Sequence, residues 1–201
     1  MKNSLHILFL AIGSTIFAQK AEVKLGSPKI LKGQTEVRVI FDYSALTLTS
    51  DSISEDEYIR NRIVKMNEKI PGNGTVWKEK WIGAKEYIWE PKFMELLSKY
   101  ATKNSKILFS ENATEAPYTM IVKVDWLYAG WDAGIMKQPA KVSTTISIID
   151  SNNMDDKKFI IKYKDAPGNQ FGNNFSDESR LGEGFAKTAK TFSKFLEKEL
   201  K

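Results

Sequence analysis

The sequence contains no cysteine, and its only histidine is His6, close to the N terminus. The rest of the chain therefore lacks the groups needed for Ser-His-Asp and Cys-His catalysis and the usual ligands of zinc and copper. Disulfides and the lipid-bearing cysteine of a bacterial lipoprotein are excluded as well. We expect a protein that is not an enzyme, holds no metal or cofactor, and is stabilised by burial of its core.

Long apolar runs are also missing, except for one at the N terminus. Residues 1–18 contain Lys2, then the apolar run Leu5–Phe17, then the small residue Ala18, which is the arrangement of a cleaved signal peptide. A membrane-spanning helix needs about 20 apolar residues, and no other stretch is long enough. We predict that the mature chain is exported, periplasmic or secreted, and soluble, with no transmembrane segment.

Basic residues are in excess, but they are not concentrated in one region. The chain has 30 Lys and Arg against 25 Asp and Glu, a formal net charge of +5, and the two signs are interspersed. A nucleic-acid-binding domain usually carries a basic stripe on one face. We therefore expect no nucleic-acid partner.

Three consecutive segments alternate apolar and polar residues with the period of a β-strand. They are Thr119–Tyr128, Ala140–Ile149 and Lys157–Tyr163. Their connections are too short for a crossover helix and rich in turn residues, which predicts an antiparallel meander. Glu36–Tyr43 adds a further strand. In the first strand of the meander, strict alternation places these residues together on one apolar face: Met120, Val122, Val124, Trp126 and Tyr128.

Helical signals occur on both sides of the meander. A capping box at Ser54 and Glu57 opens a helix over residues 54–70, and Pro91 suits the first turn of a second over 91–102. A third helix, over 179–200, has an apolar stripe. Residues 75–89 contain three tryptophans and leave two alternatives, a strand pair broken at Gly83 or an irregular aromatic loop.

These elements predict an α+β fold with a mixed, mainly antiparallel sheet of four to six strands, flanked by about three helices. We assign it to one domain over residues 36–201. Residues 19–35 are predicted to be a loose N-terminal arm with a short edge strand at Lys29–Leu31.

Aromatic residues on predicted loops are the candidates for a binding site. Trp81 and Trp131, on predicted loops, and Tyr128, the last residue of a predicted strand, offer flat apolar rings with polar N–H or O–H groups, which suit a sugar or a peptide. Asp125 and Asp132 lie near the same aromatic residues, and paired carboxylates beside aromatic rings are what a glycosidase uses. A carboxylate-dependent hydrolase is therefore the enzymatic alternative.

The runs Ala116–Asp125 and Ala140–Asp150, followed by a closing helix from Leu181, resemble a pattern in small bacterial envelope proteins. These are lipoprotein-like domains whose periplasmic fold is similar to that of the curli secretion lipoprotein. The resemblance spans residues 36–200 and implies a helix-flanked mixed sheet with a non-enzymatic structural or assembly role. The chain departs from the pattern by lacking the lipid-bearing cysteine, which argues against the outer-membrane anchor that the pattern would otherwise imply.

The function expected from these features is that of an exported, non-catalytic envelope or periplasmic protein that binds or assembles with another envelope protein. The alternative is a carbohydrate-binding module that holds a glycan with its loop tryptophans.

Overall fold

The computed structural model describes residues 19–134, 136–168 and 176–201, and the predicted signal peptide, residues 1–18, lies outside these ranges. The described residues form a mixed, mainly antiparallel sheet with packed helices, which confirms the predicted α+β class. Among them, no helix combines the length and the apolar character needed to cross a membrane.

In the part of the chain that the structure describes, eight strands belong to one sheet, more than the four to six predicted; six follow the spatial order β1-β10-β9-β6-β2-β5, and the short β3 and β4 extend it beside β6. The antiparallel contacts of β9 with β6 and β10 confirm the predicted meander, while β2 runs parallel to both β5 and β6. The strands in chain order are β1 (Lys20–Gly26), β2 (Glu36–Asp42), β3 (Thr47–Leu48), β4 (Ile53–Ser54), β5 (Leu108–Ser110), β6 (Tyr118–Tyr128), β7 (Trp131–Asp132), β8 (Lys137–Gln138), β9 (Ala140–Asp150) and β10 (Asn153–Gly168).

The helices fall into three groups. The first is α1 (Glu55–Asn67), whose start is capped by Ser54 Oγ accepting the Glu57 N–H at 3.2 Å, as the sequence predicts. The last is α5 (Asp177–Leu200). Between them runs a nearly continuous helical segment made of α2 (Asn73–Ala84), a π-helical stretch (Lys85–Trp89), α3 (Glu90–Leu97), a second π-helical stretch (Ser98–Thr102) and α4 (Lys103–Ser105).

Both predictions for residues 75–89 are wrong, because this segment is helical throughout. The π-helical stretch sits just before Pro91, which has no N–H to donate and whose ring would clash with a carbonyl in a regular helix. The Glu90 N–H donates instead to the Lys85 carbonyl, five residues back. We attribute the π-helical hydrogen bonding of Lys85–Trp89 to Pro91, which the helix accommodates without ending.

The N-terminal arm is more ordered than predicted. Residues Lys20–Gly26 form β1, which pairs antiparallel with β10 at the edge of the sheet. The edge strand predicted at Lys29–Leu31 is wrong, because Pro28–Leu31 is a turn of 3-10 helix with Ser27 as its N-cap. Proline fixes a backbone angle that suits the first turn of a helix, which favours this conformation over a strand.

A β-bulge in β6 reverses the orientation of its last residues. Its register against β9 shifts between Val124 and Trp126, and Asp125 is the extra residue. Leu127 is then fully buried, whereas Trp126 and Tyr128 are only half-buried on the opposite face. The prediction that Trp126 and Tyr128 share the buried face is therefore wrong, because one inserted residue exchanges the two faces of a strand.

The core lies between the sheet and the helices. The predicted apolar stripe of α5 packs against β9 and β10, and its residues are fully buried: Leu181, Phe185, Ala189, Phe192 and Leu196. The other face of the sheet carries half-exposed polar side chains, among them Lys123 and Thr145. We call it the open face.

Candidate functional site

Trp81, predicted to be a loop residue available to a ligand, lies in the core. Its side chain is 0% exposed, and its ring stacks on Trp77 with centroids 5.4 Å apart. The indole N–H donates to Glu55 Oε1 at 2.9 Å. The loop placement is wrong, and Trp81 offers no ring face to a ligand in this conformation.

Trp131 and Tyr128, the other two candidate residues, lie close together at the end of β6. The Tyr128 hydroxyl and the Trp131 indole N–H both donate to Gln138 Oε1, at 2.8 and 3.1 Å. Trp131 pairs with Gln138 across the hairpin formed by β7 and β8, and its side chain is 43% exposed. Gly130 makes this possible, since a Cβ there would lie 2.3 Å from the Gln138 carbonyl oxygen.

Two further residues extend this area. Trp126 lies parallel to Tyr128, with 8° between the ring planes and centroids 6.1 Å apart, and its N–H donates to the Thr49 carbonyl at 2.7 Å. Met136, on the hairpin, is 67% exposed. We call these four residues the aromatic surface: Trp126, Tyr128, Trp131 and Met136.

Sequence reasoning missed Trp126 because it assumed strict alternation. Trp126, Leu127 and Tyr128 are three consecutive large apolar residues, and a strand cannot turn all three toward the core face of the sheet. This run was the sequence signal that the alternation could change at a bulge near the end of the strand. Nothing comparable in the sequence indicated Met136.

The two carboxylates considered for hydrolysis have structural partners. Asp125 accepts a hydrogen bond from the Thr145 hydroxyl at 2.7 Å and lies 3.5 Å from Lys162 Nζ, on the open face. Asp132 Oδ1 accepts the Gly134 N–H at 2.8 Å within the hairpin. Both carboxylates therefore stabilise local structure, and their contacts do not assign an acid and a base.

The N-terminal turn of α5 stabilises the backbone at Ala129, which lies between Tyr128 and Trp131 of the aromatic surface. Arg180 Nε donates to the Ala129 carbonyl at 2.9 Å, and Arg180 is paired with Asp177. Asp177 also pairs with Arg62 Nη2 of α1 at 3.0 Å. Burial raises the pKa of Asp177, and the positive charges of Arg62 and Arg180 oppose that shift.

A second polar cluster fastens α1 to the central helical segment. Lys85 Nζ lies 2.6 Å from Glu55 Oε2 and 4.8 Å from the centroid of the Tyr43 ring. Burial raises the pKa of Glu90, which faces Tyr43, and burial together with the nearby carboxylates raises the pKa of Tyr43. The Glu55 carboxylate of this cluster also accepts the Trp81 N–H, which explains why that polar group is tolerated in the core.

Comparisons with known proteins identify no family for this chain. No protein-family model matches the chain, and no curated protein matches it. Among solved structures it is similar to a PelC dodecamer from Paraburkholderia phytofirmans, at 11% identity and a TM-score of 0.39, over 86% of this chain and 96% of that one. A point variant of the same PelC gives 12% identity with the same TM-score and coverage. A likeness at this level carries no argument about function.

Proposed function

We propose that this protein is a non-catalytic binding protein of the bacterial cell envelope, and that it holds another envelope protein with its aromatic surface. The observation that carries the proposal is the exposure of Trp131 and Met136, 43% and 67%, on one short hairpin beside Tyr128. Aromatic residues and methionine are enriched at protein interfaces relative to the rest of a protein surface.

The surface is held in shape rather than left loose. Gln138 joins the polar ends of Tyr128 and Trp131, and Arg180 fixes the preceding turn through the Ala129 carbonyl. A partner that covers these rings therefore orders few new side chains, which lowers the entropic cost of binding.

The envelope location rests on the predicted signal peptide over residues 1–18. The lack of cysteine, and of histidine other than His6, argues against the common nucleophilic and metal-dependent enzymes. The resemblance to small envelope lipoprotein-like domains agrees with an assembly role and supplies no catalytic residues.

Photo-cross-linking in the cells that produce the protein tests this proposal. A photoreactive amino acid in place of Trp131 is expected to join the chain to one defined envelope protein, identified by mass spectrometry. The matched control places the same amino acid at Tyr87, which is 72% exposed on the helical side. A partner captured equally from both positions, or from neither, would contradict the proposal.

A substitution gives the second readout. Trp131→Ala is expected to weaken binding of the captured partner at least tenfold, because central aromatic residues of an interface often contribute 2 kcal/mol or more, at about 1.4 kcal/mol per tenfold change. Tyr87→Ala should bind as the wild type does. Since both side chains are exposed, neither change should alter the melting temperature.

Glycan binding is the second candidate, and the parallel rings of Trp126 and Tyr128 favour it. Flat rings pack against the apolar faces of sugars. Titration of the tryptophan fluorescence with cell-envelope polysaccharides tests it, with Trp131→Ala as the comparison. A saturable change in the wild type that Trp131→Ala removes would favour the glycan, and no change with any polysaccharide would eliminate it.

A further inference from the structure

We propose a second binding site in a groove between α1 and α2, which takes an acidic peptide segment of a partner protein. Its central feature is a pair of buried donors, Trp77 Nε1 and Arg62 Nε, that have no hydrogen-bond acceptor among the described residues. This site lies in the helical layer and does not depend on the aromatic surface.

Trp77 is the exception among the tryptophans. Four of the five indole N–H groups have an acceptor within the chain, and Trp77, only 7% exposed, has none in the described residues. A buried donor without an acceptor is destabilising, so an acceptor supplied by a ligand would be favourable. The acceptors of the other four are Glu55 for Trp81, the Glu178 carbonyl for Trp89, the Thr49 carbonyl for Trp126 and Gln138 for Trp131.

Two adjoining cavities define the groove, of about 340 and about 150 Å³. They share Arg62 and Met66, and Trp77 lines the larger one. Exposed apolar side chains contribute to the walls, with Ile70 57% and Val76 50% exposed. Four basic residues line the two cavities, namely Arg62, Lys65, Lys69 and Lys80.

The charge of the groove selects an acidic ligand. Four basic residues of the lining outnumber its two acidic ones, of which Asp177 pairs with Arg62 and Arg180 and Glu178 accepts a hydrogen bond from Ser176 Oγ. Lys65, Lys69 and Lys80 are exposed at the rim. A carboxylate entering the groove therefore meets a positive rim and two donors that have no acceptor among the described residues.

The packing around Trp77 favours a peptide over a sugar. Trp81 stacks on its ring, and the Arg62 guanidinium lies 5.8 Å from the ring centroid, so no ring face is free for a pyranose. The part of the Trp77 side chain that remains for a ligand to contact is its indole N–H. The apolar walls at Ile70 and Val76 suit leucine-like side chains, so the best match is a segment that alternates acidic and apolar residues.

Entry of the ligand requires one side chain to move. Both unpaired donors are shielded from solvent, and Arg62 lies across the Trp77 ring. The Arg62 side chain is 33% exposed and pairs with Asp177, which has Arg180 as a second partner. We infer that Arg62 exchanges Asp177 for the incoming carboxylate and moves off the Trp77 ring.

The Trp77 indole resonance in a ¹H–¹⁵N NMR spectrum tests the proposal directly. The probe is the peptide acetyl-Leu-Asp-Leu-Glu-Leu-amide, and the matched control peptide has Asn and Gln in place of Asp and Glu. The acidic peptide should shift the Trp77 resonance, identified with a Trp77→Phe variant, far more than the other four. It should also bind about tenfold more tightly than its amide counterpart.

Charge reversal at the rim gives an independent readout. Lys69→Glu is expected to weaken binding of the acidic peptide at least fivefold, whereas Lys187→Glu, at an exposed position on α5, should leave it unchanged. Equal shifts from both peptides, no shift from either, or a shift produced only by phosphatidylglycerol vesicles would each overturn the proposal. The last outcome would assign the groove to an anionic lipid surface.

Discussion

Replacing Glu55 by alanine tests the contact that joins α1 to the core. The Glu55 side chain, 19% exposed, accepts the Trp81 N–H with one oxygen and pairs with Lys85 through the other. Glu55→Ala removes both contacts at once. It leaves the Trp81 N–H, in a side chain that is 0% exposed, without its acceptor.

The expected loss follows from these two contacts. A hydrogen bond to a charged group contributes about 1.5–3 kcal/mol, and a partly exposed ion pair about 0–1 kcal/mol. We therefore expect Glu55→Ala to lower the free energy of unfolding by about 1.5–4 kcal/mol. For a chain of this size, that is a decrease of about 3–16 °C in the melting temperature.

Urea unfolding followed by circular dichroism measures the change. Glu55→Gln is the matched variant, because its amide oxygen can still accept the Trp81 N–H, and it should cost about 1 kcal/mol or less. Glu79→Ala, at an exposed position on α2, controls for a surface substitution. A double-mutant cycle of Glu55→Ala with Trp81→Phe isolates the hydrogen bond.

Two results would refute the reasoning. One is a Glu55→Ala variant as stable as Glu79→Ala, within about 0.5 kcal/mol. The other is a cycle in which the two substitutions are additive, since the Trp81 N–H would then gain nothing from the carboxylate.

Gly184→Ala should lower the free energy of unfolding by about 1–3 kcal/mol, because the new Cβ would lie 2.5 Å from Val142 Cγ2. Helix propensity alone predicts that alanine raises the stability, so a lower or a higher melting temperature distinguishes the two effects. Burial raises the pKa of Glu90 above 4.5, so the folded state binds that proton more readily and stability falls as pH rises through that range. Glu90→Gln should lack this fall, and its advantage in melting temperature over the wild type should grow from about pH 4 to about pH 7. Leu127→Ala should cost about 2–5 kcal/mol in urea unfolding, and Tyr128→Thr about 1 kcal/mol or less; the reverse order would contradict the bulge.

The sequence predicted best those elements whose signal is local. The capping arrangement of Ser54 and Glu57 and the apolar stripe of α5 both depend on residues within a few positions of each other. The meander was found for the same reason, since alternation is visible within each strand. In the candidate site, Tyr128 and Trp131 are close in the chain as well as in space, so the sequence could group them; their role in binding stays a prediction.

The errors fall where distant residues decide the structure. Tryptophan has high strand propensity, and the helical state of residues 75–89 depends on burying Trp81 and Trp89 against elements far along the chain. The segment Lys20–Gly26 is exposed and rich in lysine, and it becomes a strand only by pairing with β10. The position of Trp126 required a register shift against β9, which no single strand reveals.

The pairing of β1 with β10 also limits when β1 can form its strand contacts during synthesis of the chain. The first described strand of the chain pairs only with a strand that begins at Asn153, and β2 finds its partners only at β5 and β6. During synthesis from the N terminus, β1 and β2 are therefore unpaired until the segments that contain their partner strands have been made. Contacts between such distant segments form slowly, and unpaired strand edges are prone to aggregate. We expect the yield of folded protein to depend on what shields β1 and β2 during that interval.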